Sequence, residues 1–112
     1  MMQIEAHFAY WIHRPEEFVP RTIRRLILAV SDETGISVSL IKGTNRAPRT
    51  VTARDIVVWL SDEVLGRTNK DLARSLDRDL STIAYARKRA AGRYTRDAYF
   101  KGLCDRVLES VR

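Results

Sequence analysis

Apolar positions recur along this chain at helical spacing and rarely alternate. Ile23, Leu26, Ile27 and Val30 stand at i, i+3, i+4 and i+7, the stripe of a helix with one buried face. Pro20, a residue suited to the first helical position, predicts its start, and Gly35 its end. Val38, Leu40 and Ile41 predict a turn or two of helix. Residues 42–51 contain Gly43, Asn45 and Pro48 and read as a loop. Thr52 is placed to cap the next helix. Its inner face is Ala53, Ile56, Val57, Leu60 and Val64, widened by Trp59. This is the most apolar segment and the expected core, closed by Gly66. Thr68 and Asp71 approximate a capping box for another short helix with Leu72, Ala73 and Leu76 buried. After a break at Asp77-Arg78-Asp79, a further helix starts at Leu80 or Ser81 and ends near Gly92. Thr95 is placed to cap the last helix, where Ala98, Leu103, Val107, Leu108 and Val111 supply apolar contacts. Residues 3–13 fit two patterns. Ile4, Phe8, Trp11 and Ile12 make a helical face, whereas Ile4, Ala6, Phe8, Tyr10 and Ile12 alternate; the helical reading is preferred.

The informative stretch is residues 68–90, two short helices joined by a turn brief enough to force a sharp corner. Ala73 is small where the helices would cross, and Asp77 sits where positive φ is often needed, which aspartate tolerates better than most residues. On the second helix, steps of 100° bring Ser81, Tyr85, Lys88 and Arg89 to one face, with Thr82 at its edge. Ile83, Ala86 and Ala90 face the other way. Short hydroxyls at the N-terminal end suit approach to base edges, and cations further along suit phosphates. The alternative is an ordinary amphipathic surface helix whose late cations complement its dipole.

Charge sharpens the choice. The chain carries +6 overall, but residues 1–41 sum to −1 and residues 42–112 to +7. A basic C-terminal two-thirds suggests a polyanion partner, or else a solvated basic surface. At 45% hydrophobic and 30% charged, the composition is that of one soluble globular domain. No apolar run approaches the roughly 20 residues of a membrane span, and the opening residues lack a basic secretory start. Cys104 is the single cysteine, most simply a small buried hydrophobe in a reducing cytoplasm. His7 and His13 have no cysteine near them, so no metal site is expected, and no cofactor is implied. No spacing of Ser, His and Asp matches a triad or nucleophile elbow, and Glu16-Glu17 and Asp62-Glu63 read as solvated faces, so no enzyme is expected.

The chain resembles, over about residues 23–108, the C-terminal DNA-binding domain of the bacterial replication initiator DnaA. That family carries a basic loop, a long apolar helix opened by arginine, and a helix-turn-helix ending in Gly-Gly-Arg-Asp-His-Thr-Thr-Val. Here the loop holds Arg46-Ala47-Pro48-Arg49, Arg54 opens the long helix, and Asp77-Arg78-Asp79-Leu80-Ser81-Thr82-Ile83 is the counterpart of the signature. The resemblance implies that Arg46 or Arg49 enters a minor groove, that Arg78, Asp79, Ser81 and Thr82 contact the major groove, and that Lys70 meets the backbone. Leu80 replaces the family's base-reading histidine, and Asp77 stands where glycines are usual. A leucine cannot hydrogen-bond a base but can touch a thymine methyl. The phosphate-cradling loop of the family's ATPase module has no counterpart among the five glycines, so a stand-alone relative is expected.

The reading is therefore an all-α small helical domain with a helix-turn-helix: an N-terminal segment over residues 1–20, as cap or dimer face, and a DNA-binding domain over residues 21–112. The expected function is sequence-preferring binding of double-stranded DNA in bacterial replication-origin binding, replication initiation or transcription regulation. The alternative is a protein-interaction module that keeps the fold without specific reading. Candidate DNA-binding residues are Lys42, Arg46, Arg49, Arg54, Lys70, Arg78, Asp79, Leu80, Ser81, Thr82, Tyr85, Lys88 and Arg89. Tyr85 reads equally as a half-buried packing residue, and the loop arginines as a solvated surface. A monomer on one half-site, a homodimer through residues 1–20, and a replication or transcription protein partner are all compatible with the sequence.

Overall fold

The computed structural model describes the backbone of residues 15–111 and the side chains of residues 23–111 other than Val64. The readings of residues 3–13, and of Phe8, Tyr10, Trp11 and the two histidines, lie outside the described residues. Six helices and no strand are found among them: α1 (Pro15–Thr34), α2 (Val38–Lys42), α3 (Pro48–Leu65), α4 (Asn69–Leu76), α5 (Leu80–Arg96) and α6 (Ala98–Val111).

α3 is the axis of the fold, packed by α1, α2, α5 and α6. Being surrounded, it buries residues on nearly every side: Ala53, Ile56, Val57, Val58 and Leu60, together with the polar Thr50, Asp55 and Ser61. Ile23, Leu26, Ile27 and Val30 of α1 close one flank, and Phe100, Leu103, Cys104 and Val107 of α6 another. A fully buried aliphatic or aromatic side chain of this size contributes about 1.5–3 kcal/mol, so this shared core holds the domain together. Burial pushes the Cys104 thiol up to about 12, which leaves it a packing group. Trp59 lies at the edge of the core against Tyr94, with ring centroids 5.0 Å apart.

Four helix ends differ from the sequence expectation. α1 starts at Pro15, not Pro20, which falls inside the helix. α3 starts at Pro48 after an Ala47 N-cap that makes no side-chain bond, so Thr52 is interior and the loop shrinks to residues 43–47. Proline's fixed φ suits that first position without a capping oxygen. α5 runs through Gly92 to Arg96, because tertiary contacts beyond it outweigh the roughly 1 kcal/mol that an interior glycine costs. Among those contacts, Arg93 reaches Asp55 and Tyr94 packs on Trp59. Thr95 donates back to the Ala91 carbonyl, and the cap of α6 is Asp97, whose Oδ1 accepts from the amides of Tyr99 and Phe100. In α6, Phe100 and Cys104 are buried while Ala98 is exposed.

Candidate nucleic-acid interface

The helix-turn-helix is α4, Asp77-Arg78-Asp79 and α5. Its corner is built locally. Thr68 Oγ1 accepts from the Asp71 amide at 3.2 Å and Asp71 accepts from the Thr68 amide at 3.3 Å, a reciprocal box that starts α4. Asp77 ends α4 in the left-handed region at φ 54°, ψ 52°. The Arg78 amide then donates to the Ala73 carbonyl at 2.9 Å, which folds the chain back over that small residue. Asp79 caps α5, its Oδ1 accepting from the Thr82 amide at 2.9 Å. Hydrogen bonding from Thr82, with a smaller contribution from Ser81, holds the Asp79 carboxyl below its usual range.

Arg78 joins this corner to the end of α2 and the α2–α3 loop, and Arg54 of α3 braces the same stretch. Arg54 Nε donates to the Ile41 carbonyl at 2.8 Å, and its Nη2 to the carbonyls of Leu40, Gly43 and Asn45 at 3.0–3.1 Å. Burial, then the neighbouring Arg78 charge, lowers its pKa. Arg78 Nη1 donates to the carbonyls of Leu76 at 3.1 Å and Lys42 at 3.3 Å, and its Nη2 to Gly43. Guanidinium forks suit this work, since several donors leave one rigid plane. The result is a groove of about 730 Å³ with Thr44 and Arg46 on the loop side and Asp79, Thr82, Tyr85 and Arg89 on the α5 side.

A buried acid sets how α5 sits on α3. Asp55 is fully buried and accepts from Arg89 Nη2 at 2.6 Å, Arg89 Nε at 3.0 Å and Arg93 Nη1 at 3.2 Å. Hydrogen bonding to Asp55 raises the Arg89 pKa. The Arg89 guanidinium also lies 5.4 Å from the centre of the Tyr85 ring. Ile83, Ala86 and Ala90 face the core, which turns Leu80, Ser81, Ala84, Tyr85 and Lys88 to solvent.

The thirteen candidates thus separate into groups. Arg54, Arg78 and Arg89 are held by protein carbonyls or by Asp55, so scaffold bonds engage guanidinia that the sequence reading assigned to DNA. Asp79 is exposed and caps α5. Leu80, Ser81, Thr82, Tyr85 and Lys88 are exposed on α5, with Tyr85 at 67% rather than half-buried. The side chains of Lys42, Arg46, Arg49, Lys70 and Lys88 are exposed, with no bonded partner among the described residues. The two loop arginines part company: Arg46 lines the groove beside α5, whereas Arg49 lines a separate cleft with Glu33, Tyr99 and Arg106. Lys42 faces a third cleft with Arg24 and Arg74. Sequence reasoning missed Asp55 and Arg93. The signal was present: a lone acid inside an apolar run, and two arginines at i, i+4 on the helix that crosses it.

A three-residue corner, an exposed helix face of hydroxyls and a lysine, and Arg46 across a groove are the features of a helix-turn-helix DNA-binding domain. The family model of the bacterial DnaA protein helix-turn-helix matches residues 23–90, from the described start of α1's core stripe through the first two thirds of α5. The chain belongs to that family. Comparison with individual curated proteins finds no match. No helix among the described residues is long and apolar enough to cross a membrane.

Proposed function

We propose that this chain is a non-enzymatic, sequence-preferring reader of double-stranded DNA that acts in replication-origin binding, in regulation of replication initiation, or in transcription. The N-terminal half of α5 would enter a major groove and Arg46 the adjacent minor groove. The observation that carries this reading is the outward face of α5. Leu80, Ser81, Thr82, Tyr85 and Lys88 are exposed beside an Arg46 that has no bonded partner among the described residues, while the arginines behind them are tied into the scaffold.

The test is selection from random duplex DNA, followed by affinity for the recovered sequences as a function of salt. The expected result is an enriched motif whose log affinity falls linearly with log salt, by about 0.9 per phosphate neutralised. Arg46→Ala should reduce that slope by about one contact, and Arg49→Ala should leave it unchanged. Retention of no duplex at low salt would overturn the proposal. Equal loss of slope in both arginine variants would overturn the assignment of Arg46 alone.

A further inference from the structure

The outward face of α5 is not uniformly polar. Leu80 is 51% exposed and is absent from the apolar side chains packed on the core. Ala84, one turn later on the same row, is exposed too. Side chains on a helix lean toward its N-terminus, so Leu80 projects past the end of α5 and Ala84 covers the turn behind it. Lys88 continues the row one turn further on, and Ser81 and Tyr85 run beside it. The foremost point of the reading helix is therefore an apolar strip, bounded by a hydroxyl on one side and a cation behind.

That strip is not part of the packed core, and a half-exposed leucine at the first helical position leaves the Asp79 cap bonds as they are. On duplex DNA it meets one matching group. The major-groove edges of the bases carry donors and acceptors, with a single apolar substituent, the methyl at C5 of thymine. A cytosine methylated at C5 presents the same methyl in the same place. Serine, threonine, tyrosine and lysine neighbours can accept or donate, but an alkyl strip can do neither. It can discriminate only by covering a methyl and excluding water from it.

Resting on the duplex-reading function above, we infer that Leu80 and Ala84 make this helix a reader of 5-methyl pyrimidines. They are specificity-determining residues that favour thymine or 5-methylcytosine over unmethylated cytosine or uracil at the positions they cover. The neighbouring hydroxyls and Lys88 supply position and charge; the strip supplies methyl selectivity without adding an ionic contact.

The experiment uses the full 112-residue chain and a duplex carrying the motif recovered by selection. That duplex is prepared with uracil in place of each thymine in turn, and then with cytosine or 5-methylcytosine, paired to guanine, at any position where uracil weakens binding. Removing a contacted methyl should cost about three- to fivefold in affinity. 5-Methylcytosine should bind more tightly than cytosine at that position if the methyl alone is recognised; if thymine is preferred through its O4 as well, only part of the loss will return. In both cases the salt slope stays constant. Leu80→Ser should bind thymine and uracil duplexes equally, with an unchanged melting temperature showing that the fold is intact. The inference is overturned if uracil costs nothing at every position, or if the penalty survives undiminished in Leu80→Ser and in Leu80→Ser/Ala84→Ser. A recovered motif with no methyl effect defeats this inference and leaves duplex reading standing. Failure to recover any duplex at low salt removes both.

Discussion

Asp77 and Arg78 stand side by side in the corner of the helix-turn-helix and are used in different ways. Asp77 is the one non-glycine residue among those described with positive φ. Left-handed backbone costs an L-residue roughly 1–2 kcal/mol, less for aspartate, whose short side chain tolerates it. Glycine would remove that cost but lose more freedom on folding, about 0.5–1 kcal/mol. Asp77→Gly is therefore expected to stabilise the domain by no more than about 1 kcal/mol, a rise of a few degrees in thermal midpoint. Asp77→Val should lower the midpoint instead, because a β-branched side chain is poorly accommodated at positive φ. Thermal unfolding of both variants checks this, and a glycine variant melting well below the parent would show that the aspartate side chain, not the backbone, matters here. Arg78 shows that residue type alone does not reveal a side chain's partners. The same guanidinium that could read a guanine is here bound to the carbonyls of Lys42, Gly43 and Leu76, and only its neighbours in space reveal that.

At the scale of elements, what was legible in the sequence is what is local. The corner at 77–79, the Thr68–Asp71 box, the left-handed Gly35 and Gly66, and the core stripe of α1 each depend on residues within about a turn of one another. What escaped depends on distant partners. α5 continues past Gly92 because Arg93 is held by an acid 38 residues away. Arg54 is engaged by four carbonyls, two at the end of α2 and two in the loop after it. The α3–α5 contact is the sharpest case. Periodicity places apolar residues at that crossing, yet a fully buried Asp55 lies among them and two arginines of α5 close over it. Truncating one partner of a buried pair leaves the others uncompensated, which typically costs 3–5 kcal/mol. Arg89 and Arg93 keep some contact with water, so Asp55→Ala should cost about 3 kcal/mol in chemical denaturation. A double-mutant cycle with Arg89→Ala should show a coupling of roughly 1 kcal/mol or more. Additive losses would mean that Asp55 does not fix α5 through Arg89.

Across the whole molecule, the cations divide by location. Several cations of α5 and α6 are paired with acids: Arg87 with Asp62, Arg89 with Asp55, Arg93 with Asp55 and Asp97, Lys101 with Asp105, Arg106 with Glu33. Around the loop, α2, α4 and the exposed face of α5, the side chains of Lys42, Arg46, Lys70, Arg74 and Lys88 have no bonded partner among the described residues. A group of unpaired cations thus gathers at the helix-turn-helix end, while Arg25 and Arg49 are exposed elsewhere, a distribution that net charge alone does not give. This separates two accounts of DNA binding that the composition leaves equivalent. If the chain binds through its overall charge, any two cations are interchangeable. If it binds through a face, position decides. Arg46→Gln/Lys88→Gln and Lys101→Gln/Arg106→Gln leave the same net charge. The first pair should reduce the salt dependence of binding by about two phosphate contacts, roughly 1.8 in the slope of log affinity against log salt. The second should leave the slope unchanged, and because exposed pairs contribute about 0–1 kcal/mol it should also leave the fold nearly as stable. Equal slopes in the two variants would assign binding to the global field; a loss confined to the first would locate it on the face that α5 and the Arg46 loop present together.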